Sequence, residues 1–150
     1  MTLTPQRLKR LVKQRERLER LQELELADAL RLHTRRAEAL NESRSNRQAL
    51  LAAEHAAGPL DLADLEAGML YLRRVDREIE ARSAALAHSA NDVEEERGDL
   101  MLRRRDRKAI EALLEKRMEE ERLARKRAEL RLIDELAVTR WQRPTAGGTA

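Results

Sequence analysis

Aliphatic side chains recur every seven residues through the middle of this chain. Counting in sevens from Leu65 reaches an aliphatic residue at seven of eight positions: Leu65, Leu72, Ile79, Leu86, Val93, Leu100, Arg107 and Leu114. A strict period of seven averages 3.5 residues per turn, so a helix that keeps it must supercoil around a partner to hold this row buried. Mostly Arg, Glu, Asp and Ala lie between these positions, and they provide no second apolar layer. The stretch therefore requires another helix.

The composition favours long helices over a compact globular core. The chain has one Trp, one Tyr and no Phe, and 39% of its residues are charged. Disorder is the alternative for such a charged chain, but the regular leucine spacing argues against it outside the termini. The chain has no Cys, which excludes disulfides and thiolate metal sites. Neither a signal-peptide core nor a membrane-length apolar run is present. We expect a soluble, cytoplasmic protein.

One strong break divides the chain. Thr4 can cap a helix that begins at Pro5, and nothing interrupts it before Gly58 and Pro59. We expect a single hairpin domain over residues 1–143, with helix 4–57, turn 58–61 and helix 61–143, followed by a disordered tail at 144–150. A weaker break at 89–92 and Gly98 lies in phase with the seven-residue count, so we expect continuous helix there.

Folding the two arms about the turn pairs residues whose numbers add up to about 118. The first arm has an interrupted leucine face: Leu8, Leu11, Leu18, Leu21, Leu32, Leu40 and Leu50. The expected pairs are Leu18 with Leu100, Leu32 with Leu86, Ala39 with Ile79, Ala53 with Leu65, and Thr4 with Leu114. Residues from about 116 onward then lack a partner. The predicted fold is all-α, a long antiparallel two-helix coiled-coil hairpin with a longer C-terminal helix, which we expect to be monomeric.

Charge is distributed unevenly along this hairpin. Residues 1–20 carry seven basic and two acidic groups, and residues 122–143 carry seven basic and three acidic groups. Residues 54–99, which include the turn, carry five basic and twelve acidic groups. Chance clustering on solvated helix faces is one explanation. The other is that the two ends of the hairpin address different partners.

No residue pattern indicates catalysis. His88 and Asp92 share a helix face, but two ligands make a weak metal site. Glycine-rich phosphate loops and nucleophile motifs are absent. The basic runs at 103–105 and 125–127 lack interleaved aromatic residues and have acidic neighbours, which favours solvated helix over nucleic-acid binding. We expect a protein without enzymatic activity, cofactor or metal.

The C-terminal residues resemble a known family. Residues 126–137 form a basic helix that ends in Ile133-Asp134-Glu135-Leu136-Ala137, and Arg140 follows; upstream, residues 107–117 place leucines among charges. This ending is similar to that of the FliJ/YscO family of type III export proteins, flagellar rather than injectisome. The resemblance implies the antiparallel coiled coil of a rotary ATP-synthase central stalk. It also implies a cytoplasmic protein, peripherally associated with a membrane export apparatus, that binds a hexameric export ATPase, the export gate and export chaperones.

The resemblance also implies two contact surfaces. Tyr71 and Val75 match an aromatic and aliphatic patch used toward the export gate, although Glu78 and Arg82 depart from its small and His residues. For the C-terminal overhang, apolar residues without an intramolecular partner are usually covered by another surface. By this resemblance the ATPase-ring contact comprises Met118, Arg122, Leu123, Arg125, Lys126, Leu130, Ile133 and Leu136. The alternative function is a generic coiled-coil scaffold or tether unrelated to secretion, and a more remote one is a basic coiled coil associated with nucleic acid.

Overall fold

Two long helices make up almost all of the structure, a computed structural model that describes residues 3–143. Helix α1 spans Pro5–Ala56 and helix α2 spans Leu62–Gln142. The described residues are 94% helical, the two helices pack together, and no strand occurs among them. The predicted all-α, antiparallel hairpin with a longer C-terminal helix is confirmed. Helix α2 continues without a break through Asn91 and Gly98. The predicted tail at 144–150 lies outside the described residues.

Local hydrogen bonds explain where the helices begin and end. The backbone N–H of Arg7 donates to Thr4 Oγ1 at 3.4 Å, which caps the start of α1. Gly58 takes a φ of 72°, the left-handed conformation in which a glycine meets little strain. After Pro59, Asp61 Oδ1 accepts from the N–H of Leu62 at 2.7 Å at the start of α2. These contacts explain why the chain turns between residues 57 and 61.

Substituting alanine for two of the glycines should change the unfolding free energy in opposite directions. Gly98 is helical and a Cβ there would meet nothing within 4 Å, so we expect Gly98→Ala to raise the unfolding free energy by about 0.5–1 kcal/mol through helix propensity. We expect Gly58→Ala to lower it by about 1 kcal/mol because of the positive φ. Denaturant unfolding followed by circular dichroism measures both. A loss of stability in Gly98→Ala would mean that α2 is not an open helix at this point.

The structure divides into two compact units. One comprises residues 17–104 and the other comprises residues 1–16 together with 105–150. In the first unit, the predicted row on α2 faces α1: Val93 and Leu100 are buried, and Leu72, Ile79 and Leu86 are half-buried. The predicted row is wrong at Leu65, which is exposed. Three of the last five residues of α1 are alanines, and their small side chains cover little of a leucine.

A second row of α2 also faces α1, and most of its members are polar. In the same unit it comprises Val75, Arg82, Ser89, Glu96 and Arg103, all buried or half-buried. The matching positions of α1 are mixed as well and include Glu19, Gln22, His33, Arg36, Leu40, Ser43 and Arg47. The two predicted leucines Leu21 and Leu32 are exposed instead. The seam between the helices is therefore built from alternating apolar and polar layers, and the leucine face predicted for α1 is wrong at these two positions.

Polar side chains cross this seam to specific partners. Arg36 Nη1 donates to the carbonyl of Ala85 at 2.9 Å, and Arg82 Nη1 donates to the carbonyl of Ala39 at 2.6 Å. Side-chain contacts join Gln22 with Glu96, His33 with Ser89, Ser43 with Glu78, Arg47 with Asp76, and Arg104 with Glu19 and Glu23. Each of these contacts is satisfied at one alignment of the helices, so polar layers specify the register as well as filling the seam.

The observed register differs from the expected one by about one helical turn. In three of the contacts, Arg36 with Ala85, Ala39 with Arg82 and Ser43 with Glu78, the residue numbers add up to 121 and not 118. Ala39 thus lies beside Arg82 instead of Ile79. The reason is that α2 begins about one turn beyond the level at which α1 ends, whereas the prediction centred both helices on the Gly-Pro turn.

The second unit pairs the start of α1 with the middle of α2. Leu8 is almost fully buried, Ile110 and Leu114 are half-buried, and Arg15 Nη1 lies 3.4 Å from Asp106 Oδ2. Leu3, Thr4 and Pro5 lie beside Arg117 and Glu120, one turn beyond the expected Leu114. Every described residue from Met118 to Arg143 is exposed. We call residues 118–143 the overhang, because α2 continues there beyond its last half-buried residue, Arg117.

Candidate partner-binding surfaces

The overhang displays large apolar side chains to solvent. Leu123, Leu130, Ile133, Leu136 and Trp141 are all exposed, as is Met118. All eight side chains predicted to contact an ATPase ring are exposed. The overhang is roughly 40 Å long at about 1.5 Å per residue. No other described helix covers its side chains, so tertiary packing does not stabilise it. Its apolar surface is therefore available to another molecule.

These apolar side chains form a stripe on the face of α2 that points away from α1. Leu123 follows the seam residue Leu114 by about 2.5 helical turns, which places it on the opposite side of the helix. Leu130, Ile133, Ala137 and Trp141 continue from Leu123 at spacings of seven, three, four and four residues. We call these five residues the apolar arc. Extending α1 would not cover the arc, so it is a separate surface and not an unfinished part of the seam.

Two residues of the apolar arc were not identified as contact residues by sequence reasoning. Ala137 and Trp141 were not among the predicted contacts, although they continue the spacing of Leu130 and Ile133. The signal is a shift of the seven-residue frame by two positions, from the row containing Leu114 to the row containing Leu123. A shift of two residues turns the row by about 200° around the helix.

Charged groups divide the overhang into two parts. Near the paired helices, the arginines form ion pairs with glutamates three or four residues away on α2. These pairs are Arg117 with Glu120 at 2.9 Å, Arg122 with Glu119 at 2.7 Å and Arg125 with Glu121 at 3.8 Å. Beyond them, five cations have no ion pair among the described residues: Lys126, Arg127, Arg131, Arg140 and Arg143. These five cations flank the arc together with three acidic residues that also have no ion pair among the described residues: Glu129, Asp134 and Glu135.

The ion pair between Glu119 and Arg122 shifts the pKa of both side chains. The hydrogen bonds that Arg122 donates to the Glu119 carboxylate lower the pKa of Glu119 and raise the pKa of Arg122. Because the pKa of Glu119 is lower in the folded state, its contribution is present above the ordinary pKa of a glutamate and is lost as the pH falls through the lowered value. Both groups are fully exposed, so the pair orders this turn of the helix without adding much stability.

The patch expected to meet an export gate divides into an exposed and a buried residue. Tyr71 is 52% exposed, whereas Val75 is 7% exposed and lies in the seam. Glu78 Oε1 is 2.6 Å from Arg82 and accepts from Ser43 at 3.5 Å. Val75 thus belongs to the seam between the helices and not to the surface, because it occupies the position three residues after Leu72 in the seven-residue frame. Only Tyr71 is open to a partner.

The pair of His88 and Asp92 was the candidate metal site in the sequence. His88 Nε2 lies 3.8 Å from Asp92 Oδ1, and within residues 3–143 no group of three or more His, Asp or Glu side chains could hold a metal ion. Neither described helix contains a stretch that is long and apolar enough to cross a membrane.

The fold and these surfaces define a class of protein, an antiparallel coiled-coil hairpin whose second helix continues alone. Residues 5–146 match the family model described as Flagellar FliJ protein, which covers nearly the whole chain. The chain belongs to the FliJ family. This family is a non-enzymatic component of flagellar export, a form of type III secretion. A search of curated proteins and a search of solved structures give no match.

Proposed function

We propose that this protein is the central stalk of a flagellar export ATPase. In this proposal the overhang enters the pore of the hexameric ATPase and stabilises the assembled ring. The observation that carries the proposal is the apolar arc, which faces away from α1 and is bordered by unpaired cations. A pore lined by apolar and acidic groups would cover both kinds of side chain at once.

The ion pairs within α2 limit which residues of the overhang we expect to contact the ATPase ring. Arg122 and Arg125 are already paired with glutamates of their own helix, so moving them to a partner would gain little. Lys126 and the cations after it have no such competition. We therefore assign the main ring contact to residues 126–143, with Leu130 and Ile133 as its apolar centre, and give Met118, Arg122, Leu123 and Arg125 a place at the entrance.

The remaining partners are assigned to the hairpin. We propose that Tyr71 contributes to a contact with the cytoplasmic part of the export gate, and that export chaperones bind the paired helices. Val75 supports Tyr71 from within the seam and does not meet the partner directly. The protein would then be cytoplasmic, associated peripherally with the membrane export apparatus, and would act without catalytic activity of its own.

Removing the overhang tests this proposal. A chain that ends at Arg117 keeps every residue of the paired seam, so we expect its helices to remain paired while its stimulation of the cognate export ATPase falls to the basal rate. A chain that ends at Arg143 is the matched control and should stimulate fully. Steady-state ATP hydrolysis and ring formation by electron microscopy are the measurements.

The opposite result would relocate the contact. If the chain ending at Arg117 still stimulated the ATPase fully, the overhang would not be the ring contact. The basic first turns of α1, around Arg7, Arg10 and Arg17, would then be the surface to examine.

A further inference from the structure

A second apolar surface lies next to the turn, and it is acidic. Leu62, Leu65 and Met69 follow one another at helical spacing on α2, and all three are exposed. We call these three residues the turn stripe. They stay exposed because α2 begins about one turn beyond α1, and because the last residues of α1 are mostly alanines.

Acidic groups border the turn stripe on both helices, and the first cations of α2, Arg73 and Arg74, come about one turn after it. Residues 48–72 contain Glu54, Asp61, Asp64 and Glu66 but no Lys or Arg. None of these four carboxylates forms an ion pair among the described residues. The turn stripe is thus an apolar surface with an acidic border, and its complement is an apolar surface with a basic border.

The overhang of the same chain has that chemistry. Residues 126–143 carry five basic and three acidic groups, so the border of the apolar arc is net positive. Its cations Lys126, Arg127, Arg131 and Arg140 have no ion pair in the described part of the chain. We propose that the turn stripe of one molecule binds the apolar arc of a second copy, so that free molecules associate head to tail. The proposal goes beyond the ATPase contact and does not depend on it, although both partners would use the same arc and would compete for it.

The size of the surfaces limits the strength of this association. Three side chains on one partner and five on the other bury much less than the roughly 1,200 Å² of a stable interface, so the association should be weak and concentration-dependent. Salt should weaken it further, because the Debye length falls from about 10 Å at 0.1 M to about 3 Å at 1 M. Each copy carries both surfaces, so each copy can take part in two such contacts.

Sedimentation equilibrium of the full chain provides the first test. At low salt we expect the average mass to rise at least about twofold above the single-chain 17.3 kDa as the concentration increases toward the millimolar range. At high salt it should return toward the single-chain value. A wild-type chain that keeps the single-chain mass at low salt over the whole range would overturn the proposal.

Two full-length variants separate head-to-tail association from every other arrangement. The turn variant carries Leu62→Asp and Met69→Asp, and the overhang variant carries Leu130→Asp and Ile133→Asp; all four side chains are exposed, so the fold should tolerate the changes. Each variant alone should be monomeric, whereas their equimolar mixture should form a complex of one copy of each and no larger species. Met101→Asp, which changes an exposed apolar side chain of α2 outside both surfaces, should associate like the wild type.

Either of two outcomes would reject the arrangement. A variant that still associates alone would show that its substituted surface is not used, and a mixture that stays monomeric would show that the two surfaces do not bind each other. The ATPase is absent from this experiment, so its outcome is independent of the test of the proposed function.

Discussion

Leu100→Ala should lower the unfolding free energy by about 2–4 kcal/mol, the usual cost of truncating a buried leucine. Leu100 is 7% exposed and lies one turn from Glu96 and one turn from Arg104. Both neighbours reach across to α1, Glu96 to Gln22 and Arg104 to Glu19. Because these polar layers are held by their own hydrogen bonds, they cannot move in to fill the cavity.

Leu102 provides the matched control. It is the same residue type on the same helix, two positions away, but it is 57% exposed. We expect Leu102→Ala to change the unfolding free energy by no more than about 0.5 kcal/mol. Thermal and denaturant unfolding followed by circular dichroism compare the two variants. Equal effects would mean that α1 does not pack on this face of α2.

Ile133→Asp should weaken the stimulation of the export ATPase at least about tenfold, measured as the concentration needed for half-maximal stimulation. The carboxylate would be placed in the centre of the apolar arc, where burial against the ring would leave it without water or a partner. A penalty of about 1.4 kcal/mol is enough for a tenfold loss of affinity. The isolated chain should keep its stability because the side chain is exposed there.

Leu132→Asp is the control for the face of the helix. Leu132 and Ile133 are neighbours with nearly the same exposed fraction, 57% and 59%, so both substitutions change the exposed surface alike. Helix propensity falls slightly more at Leu132, because Leu is the better helix former of the two. Leu132 lies about 100° further around the helix, outside the arc, and we expect its substitution to change the half-maximal concentration less than about threefold. A larger effect for Leu132 than for Ile133 would place the contact on a different face.

The apolar row of α2 was predictable from the sequence from Leu72 onward, and the polar part of the seam was not. The period of seven identifies the apolar residues of this row: Leu72, Ile79, Leu86, Val93 and Leu100. Arg82, Ser89 and Glu96 occupy an equally regular row, but polar side chains at these positions are indistinguishable from solvated ones until the opposite helix is known. Their partners on α1, such as Ala39 for Arg82, also fix the register. For that reason the expected pairing was displaced by about one turn.

The surfaces show the same division. That Leu130 and Ile133 would be exposed followed from the end of the seam, because no leucines of a first helix remain to cover them. Their direction away from α1 follows from the two-residue shift of the seven-residue frame between Leu114 and Leu123. This shift can be interpreted only when the position of the seam on α2 is known. Val75 was assigned to a surface by its place in a family pattern, whereas the frame that begins at Leu72 places it between the helices.

Site-specific crosslinking tests most directly whether the overhang enters the ring. The chain has no cysteine, so Ile133→Cys and Tyr71→Cys each introduce a single attachment point for a photoactivatable crosslinker. With the assembled hexameric export ATPase, we predict efficient crosslinks from position 133 to residues that line the pore, and none from position 71. Crosslinks to the pore from position 71 in place of position 133 would contradict the central claim.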